Sequence, residues 1–374
     1  MELKKWKKVL VCIFLAVVLL VCSLGILYFL EKNYFLLGNS SYFLYEKTKN
    51  SIDFLDKNKI SDTIVYCDYY TWWNEKNWQR GASNKPYLGF YDSLDPEVLK
   101  NHRKWANKYG IDVFKVEYIP ELDESIQEGI ASHDLGGTKF CLMYDTMLRF
   151  SGTYGNPPYD FGNEDIYNLF IEDMDHIAET YFGNKNYFHI NGKPVLWIYV
   201  TRDITGNFSG AINEIRKNFK NKGYGVYLVG DQVFWNYDFS GTKLFDAVSL
   251  YHAYAGYPQN TADFADRLKL LYLVWKIAAY INGVDFIPGA IFEYDDTCFK
   301  EERESIPVLS GEIKDFKYML EVVSTYLDPV NSNKNLDQVT IATFNENQEG
   351  SAIEPSYEWG YSKISLIPEY FGKN

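Results

Sequence analysis

Three glutamates fall within nine positions at the end of an apolar run: Glu346, Glu349 and Glu354 in Thr343-Phe344-Asn345-Glu346-Asn347-Gln348-Glu349-Gly350-Ser351-Ala352-Ile353-Glu354-Pro355. Two carboxyl groups on one short loop can divide acid and base work. A glycosidic bond is broken when one carboxyl protonates the leaving oxygen and the other acts as base or nucleophile. Solvated acidic loops show the same spacing, so the pair gains meaning only from its setting. Other chemistry is poorly represented. No set of His, Cys, Asp or Glu stands at metal-ligand spacing, no G-x-S-x-G elbow occurs, and no G-x-G-x-x-G or P-loop follows an apolar run. Neither a metal nor a cofactor is expected.

The elements that must position this loop can be read from short β-branched or aromatic runs. They lie at Thr63 to Tyr69, Ile111 to Tyr118, Lys139 to Tyr144, Val195 to Val200, Val226 to Gly230, Ala247 to Tyr251, Phe286 to Ala290 and Val339 to Phe344. Amphipathic stretches alternate with several of them, at Pro96 to Tyr109, Asp165 to Tyr181, Ala211 to Lys222, Ala262 to Asn282 and Ile313 to Tyr326. Strand and helix alternating eight times predicts an α/β chain folded as a (β/α)8 TIM barrel, with an open doubly wound sheet as its main competitor. No internal repeat or second-domain boundary is evident.

A barrel carries its site at the carboxyl ends of the strands. The residues found there are Asp68, Tyr69 and Tyr70; Glu117 and Tyr118; Tyr144 and Asp145; Tyr199; Asp231; Tyr251 and His252; Glu293 and Tyr294; Asn345 and Glu346. With 9 Trp, 32 Tyr and 25 Phe and a net charge of −13, the chain is rich in aromatics and acidic, which argues against a nucleic-acid partner. An acidic cleft walled by rings suits a neutral polyhydroxylated ligand, whose C–H faces stack on rings and whose hydroxyls bond to carboxylates. Trp72, Trp73 and Trp78 serve either as core or as a sugar platform, and their place just past a strand end favours the platform. Asp145 and Asp231 fit hydroxyl binding and a salt bridge equally. His252 is open between binding and packing, whereas His102, on the first helix, reads as packing or capping.

Val9 to Leu30 is free of charge and proline over 22 residues, about 33 Å as a helix and long enough to span a bilayer. Lys4, Lys5, Lys7 and Lys8 precede it, which orients the N-terminus to the cytoplasm. Residues 1–32 are therefore expected to form cytoplasmic lysines and a signal anchor rather than a cleaved signal peptide, 33–60 a polar stalk, and 61–374 an extracytoplasmic catalytic domain of a single-pass type II membrane protein. Cys67, Cys141 and Cys298 remain outside the membrane run, too few and too odd in number for a disulfide scaffold.

The loop N-E-x-x-E-G-x-x-I-E resembles the signature of glycoside hydrolase family 99, the endo-α-1,2-mannosidases and endomannanases. Similar too are Pro86-Tyr87-Leu88-Gly89-Phe90-Tyr91-Asp92-Ser93-Leu94-Asp95-Pro96 with His102 and Gly110-Ile111-Asp112, the cluster Tyr69-Tyr70-Thr71-Trp72-Trp73, Asn191-Gly192-Lys193-Pro194-Val195, and Phe245-Asp246-Ala247. In order these cover about residues 63 to 358. The resemblance implies a retaining (β/α)8 glycosidase that uses the sugar's own 2-hydroxyl as nucleophile through a 1,2-anhydro intermediate. Carried over, Glu346 is the base on O2, Glu349 the acid on the leaving oxygen, Asn345 an orienting group, Tyr251 a tyrosine near the reacting sugar, and Glu354 a structural acid. The chain departs from the pattern at Asn347-Gln348, where Trp-His is usual, and at Glu117-Tyr118-Ile119, where Ser-Trp-Tyr is usual.

The sequence thus predicts endo-acting α-glycosidase activity of endo-α-1,2-mannosidase type on a surface or lumenal glycan. The catalytic residues are Glu346 and Glu349, and the substrate contacts are Tyr70, Trp72, Trp73, Tyr118, Asp145, Tyr251, His252 and Asn345. The partners are an α-linked oligosaccharide or polysaccharide and, through the N-terminal run, a membrane. A polysaccharide-assembly enzyme of the related family-99-like group, trimming or transferring glycan, and a non-catalytic glycan-binding barrel are the rival readings.

Overall fold

Runs that are apolar on both faces suit parallel strands buried between a closed interior and a coat of helices. The computed structural model describes residues 63–299, 304–327 and 337–372. It places strands at β1 Ile64–Tyr69, β2 Val113–Tyr118, β3 Lys139–Tyr144, β4 Lys193–Ile198, β5 Tyr227–Asp231, β6 Ala247–Ser249, β7 Asp285–Phe286, β8 Gly289–Ile291 and β9 Gln338–Ala342. All neighbours along the path β7-β6-β5-β4-β3-β2-β1-β9-β8 are parallel.

The two ends of that path belong to one segment. Pro288 has no N–H to give to a ladder, and the strand breaks there: Ile287 N–H donates to Val248 O on one side at 3.0 Å, and Thr340 N–H donates to Pro288 O on the other at 3.0 Å. β7 therefore pairs with β6 while β8 pairs with β9. The sheet curls back on itself, an arrangement consistent with a (β/α)8 barrel, and each of the eight runs read from the sequence contributes to it.

The covering helices are α1 Pro96–Lys108, α2 Thr146–Tyr154, α3 Glu164–Tyr181, α4 Phe208–Asn221, α5 Thr261–Asn282 and α6 Ile313–Thr325. Their starts are chemically marked. Asp95 caps α1 through the Glu97 N–H with Pro96 in the first turn, and Asn260 caps α5 through the Ala262 N–H. α5 ends on Gly283 in the left-handed conformation, φ 72°.

Inside the ring, residues two apart on a strand share a face, and the inward set forms layers. Tyr66 packs edge-on against Trp197 at a centroid distance of 5.2 Å. One layer up, the Lys115 ammonium sits 3.0 Å from Asp68 Oδ1, donates to Thr340 Oγ1 at 2.9 Å, and lies 4.2 Å from the centre of the Trp197 ring. Both members of this ion pair are fully buried, and burial pushes the Asp68 carboxyl up to about 6, the Lys115 charge pulling the other way. The next layer upward opens into the cavity described below.

The membrane run Val9 to Leu30 and the stalk 33–60 lie outside the described residues. Among the described residues no helix is long and apolar enough to cross a membrane. Cys67, Cys141 and Cys298 are free thiols, the first two buried.

Candidate active site

The loop after β9 is held by its own backbone and by the end of β1. Thr343 N–H donates to Ser351 O at 3.1 Å and Ile353 N–H to Thr343 O at 3.0 Å, so the two arms of the glutamate loop run side by side. Asn345 spends its side chain on Tyr70: Oδ1 accepts from Tyr70 N–H at 2.9 Å and Nδ2 donates to Tyr70 O at 3.0 Å. Its carbonyl accepts from the Trp73 indole at 2.9 Å. Asn345 is fully buried and fastens the last strand to the first.

Glu346 follows directly. Its N–H donates to Thr343 Oγ1 at 2.8 Å, and its Oε1 accepts from the Gln348 N–H at 2.9 Å, so the carboxyl group is fixed by its own loop. Glu349 is fixed by two tyrosines from neighbouring strand ends. Tyr251 donates to Oε2 at 3.1 Å and Tyr294 to Oε1 at 3.2 Å, while Tyr70 donates to the Tyr251 oxygen at 3.3 Å. Gly350 then turns the chain at φ +68°, a conformation that favours glycine, and a Cβ there would crowd Ser83 Oγ at 3.1 Å.

Both glutamates line one cavity of about 510 Å³ at the carboxyl end of the sheet. Tyr70, Trp72, Asp145 and Tyr251 line it with them, as does Tyr199 from the end of β4. Trp72 lies against Tyr70, centroids 4.4 Å apart and planes 31° apart, presenting an aromatic wall. Glu117 and Asp145 add two further carboxyl groups to the lining. Asp145 caps α2 through the Leu148 N–H at 2.8 Å and lies beside Glu117, and Arg80 is the one cation among the described side chains that line the cavity. Burial, with Asp145 next to it, pushes the Glu117 carboxyl well above the usual carboxylate range.

Four residues expected at the substrate lie elsewhere. Trp73 stacks on Trp78 at 3.8 Å in a buried cluster with Tyr91 and Val98, so these two tryptophans are core and only Trp72 of the three faces the cavity. Tyr118 points outward from β2 toward Tyr144 and Tyr181. His252 packs between the rings of Tyr251 and Tyr294 at 4.8 Å from each, and Asn345 is occupied as a clamp. The cause for Tyr118 is strand alternation: Lys115 faces inward, so Glu117 does too and Tyr118 cannot. Glu117 and Tyr199 were legible by the same rule, whereas Arg80 and Gln348 come from loops and Asn77 from the one-turn helix Glu75–Trp78, and these carried no such signal. Asp231 is engaged by Arg202, 2.8 Å from its Oδ1, and does not line the cavity.

Behind the glutamate loop lies a second polar group. Glu354 accepts from the Tyr91 hydroxyl at 3.1 Å and from Asn347 Nδ2 at 2.6 Å, and His102 Nε2 stands 3.2 Å from its other oxygen. His102 Nδ1 lies 3.0 Å from the Tyr69 hydroxyl. The helix-opening segment and the glutamate loop, far apart in sequence, are joined here.

The family model of the glycosyltransferase WbsX matches residues 159–367, more than half of the chain. No curated protein matches it. Among solved structures, it is similar to the GH99 endo-α-mannosidase from Bacteroides thetaiotaomicron in complex with bis-tris-propane. The TM-score is 0.62 at 18% identity, covering 82% of this chain and 95% of that one. A second structure of that bacterial endo-α-mannosidase gives 0.55 at 16% identity over 82% and 97%. A glycoside hydrolase-like protein gives 0.63 at 17% identity over 84% and 95%. At such identities the likeness is one of fold.

Proposed function

The chain belongs to the WbsX glycosyltransferase family, and from that premise we propose that it cleaves internal α-glycosidic bonds of a glycan, of the α-mannosidic type, with retention. The observation that carries this reading is that Glu346 and Glu349 line one cavity while each is held by separate partners. In the first step Glu346 takes the proton from the sugar's 2-hydroxyl, O2 attacks C1, the bond from C1 to the leaving oxygen breaks, and Glu349 protonates that oxygen. In the second, Glu349 takes a proton from water, the water oxygen attacks C1, the C1–O2 bond of the anhydro sugar opens, and Glu346 returns the proton to O2. Atoms and charges balance, and no cofactor is required.

A second reading follows from the family description. If a sugar hydroxyl replaces water in the second step, the same two glutamates transfer glycan instead of hydrolysing it, which fits an enzyme of polysaccharide assembly. The Val9 to Leu30 run supports a membrane-anchored enzyme with its barrel on the extracytoplasmic side.

The test is product analysis with the full-length chain on α-mannan and a panel of α-linked oligosaccharides. Wild type releases shortened or elongated oligosaccharide, and Glu349→Gln loses about two or more orders of magnitude in rate while still binding. Binding by both proteins with cleavage by neither would identify a glycan-binding barrel.

A further inference from the structure

Gln348 stands between the two glutamates of the loop and is pinned at three points. Its backbone N–H donates to Glu346 Oε1 at 2.9 Å, its carbonyl accepts from the Cys298 thiol at 3.1 Å, and its Nε2–H donates to Asn77 O at 2.7 Å. The last contact settles which way the amide lies. A backbone carbonyl only accepts, so the nitrogen faces Asn77 and the oxygen lies on the other side. Asn77 in turn donates through Nδ2 to Trp72 O, which ties the same amide to the aromatic wall.

The acceptor that remains is Oε1. No described residue donates to it, and unlike Trp72 Nε1 and Glu117 Oε1 it is not sealed within the protein but belongs to a side chain that lines the cavity. The residue as a whole is 4% exposed, so a ligand that fills the cavity covers this oxygen. A covered acceptor without a donor is costly. We propose that Gln348 is a specificity residue: its Oε1 accepts a hydrogen bond from a free hydroxyl of the sugar unit lodged at Glu346 and Glu349. The 2-hydroxyl of that unit is engaged by Glu346 in the reaction above, so the donor is another hydroxyl of the same ring. In a neutral sugar a deoxy carbon, an ether or an O-acyl group at that position leaves Oε1 unmet, and the site discriminates against it. The amide is fixed before the ligand arrives, so little side-chain freedom is lost on binding.

This inference rests on the glycan reading, and its test separates the two. Full-length wild type, Gln348→Met and Asn77→Ala are compared on the best member of the α-glycan panel and on its analogues that each lack one hydroxyl, with thermal melting to confirm folding. The readout is kcat/KM where the chain cleaves and Kd where it only binds. Wild type is expected to lose at least about tenfold on one analogue other than the 2-deoxy sugar. Gln348→Met, close to glutamine in size but without the acceptor, loses at least that factor on the parent glycan and nothing further on that one analogue. Asn77→Ala loosens Trp72 and leaves the Gln348 acceptor in place, so it weakens parent and analogue alike and keeps the penalty between them.

Gln348→Met equal to wild type, or evenly weakened with every penalty intact as in Asn77→Ala, overturns the proposal. So does a wild type that penalises no analogue besides the 2-deoxy sugar, a result that needs no variant to fold. A folded wild type that neither binds nor cleaves any glycan of the panel overturns the glycan reading itself, and with it the hydroxyl ligand named here.

Discussion

The Tyr251 hydroxyl donates to Glu349 Oε2 at 3.1 Å and at the same time accepts from the Tyr70 hydroxyl. A carboxyl group held this way is aimed by the barrel rather than by its own loop, since Tyr251 follows β6 and Tyr70 follows β1. Tyr251→Phe should therefore lower kcat by about 10- to 100-fold on a cleaved glycan without loss of folding. Tyr294→Phe, removing the donor to Oε1, should follow in the same direction. Steady-state kinetics with a thermal melt decides it, and unchanged kcat in both variants would remove the tyrosines from the mechanism.

Trp72 and Trp73 are neighbours in sequence with opposite duties. Trp72→Ala should raise KM or weaken glycan binding about tenfold and leave stability nearly intact, because its ring lies on the cavity wall. Trp73→Ala empties a site filled by a ring stacked on Trp78 and should cost about 3–5 kcal/mol. Calorimetric melting beside a binding titration separates the two; a destabilised Trp72→Ala with a stable Trp73→Ala contradicts the placement.

The buried pair of Asp68 and Lys115 makes stability depend on pH. The folded carboxyl is pushed up to about 6 from an ordinary value of 3.8. A raised acid favours the folded state below the ordinary value, and that contribution is lost as pH rises through the folded one. Between pH 4 and pH 6 this group alone should lower the stability of wild type by about 2 kcal/mol as pH increases. Asp68→Asn should flatten that slope, and the loss of the Lys115 counter-charge should cost stability above about pH 6, where the folded wild-type carboxyl is charged. Denaturant midpoints across the pH range supply the comparison, and parallel slopes would be inconsistent with it.

Glu354 is the partner shared by His102, Tyr91 and Asn347. Its replacement by Ala takes an acceptor from three buried polar groups at once and should cost about 3 kcal/mol. Glu354→Gln, which keeps an acceptor, should cost less. Because Glu354 does not line the cavity, residual glycan affinity per folded molecule should stay close to wild type; a stable Glu354→Ala variant with abolished binding would instead assign it to the substrate.

The barrel was legible because its strands are apolar runs of the right length separated by capped amphipathic helices, and all eight runs recur in the sheet. The broken seventh strand was read as one run, for a proline inside an apolar stretch carries no statement of which half pairs where. At the site, types and strand ends pointed to Glu346, Glu349, Tyr70, Asp145 and Tyr251, which meet in one cavity. Tyr118, Trp73, His252 and Asn345 carry the same residue types but face away or are occupied, because orientation follows from strand phase and from tertiary partners. Lys115 gives the clearest case. It lies in the middle of a fully buried strand, and the opposing Asp68 and Thr340 explain why a charge can be tolerated there.

The Asn345 clamp joins residues 275 positions apart, and the cavity straddles that junction: Tyr70 and Trp72 come from its beginning, Glu346 and Glu349 from its end. A ribosome must therefore deliver nearly the whole barrel before Glu346 and Glu349 share a cavity with Tyr70 and Trp72. Nascent chains carry the aromatic lining without the glutamates, and the cavity is complete only when its ring is sewn shut.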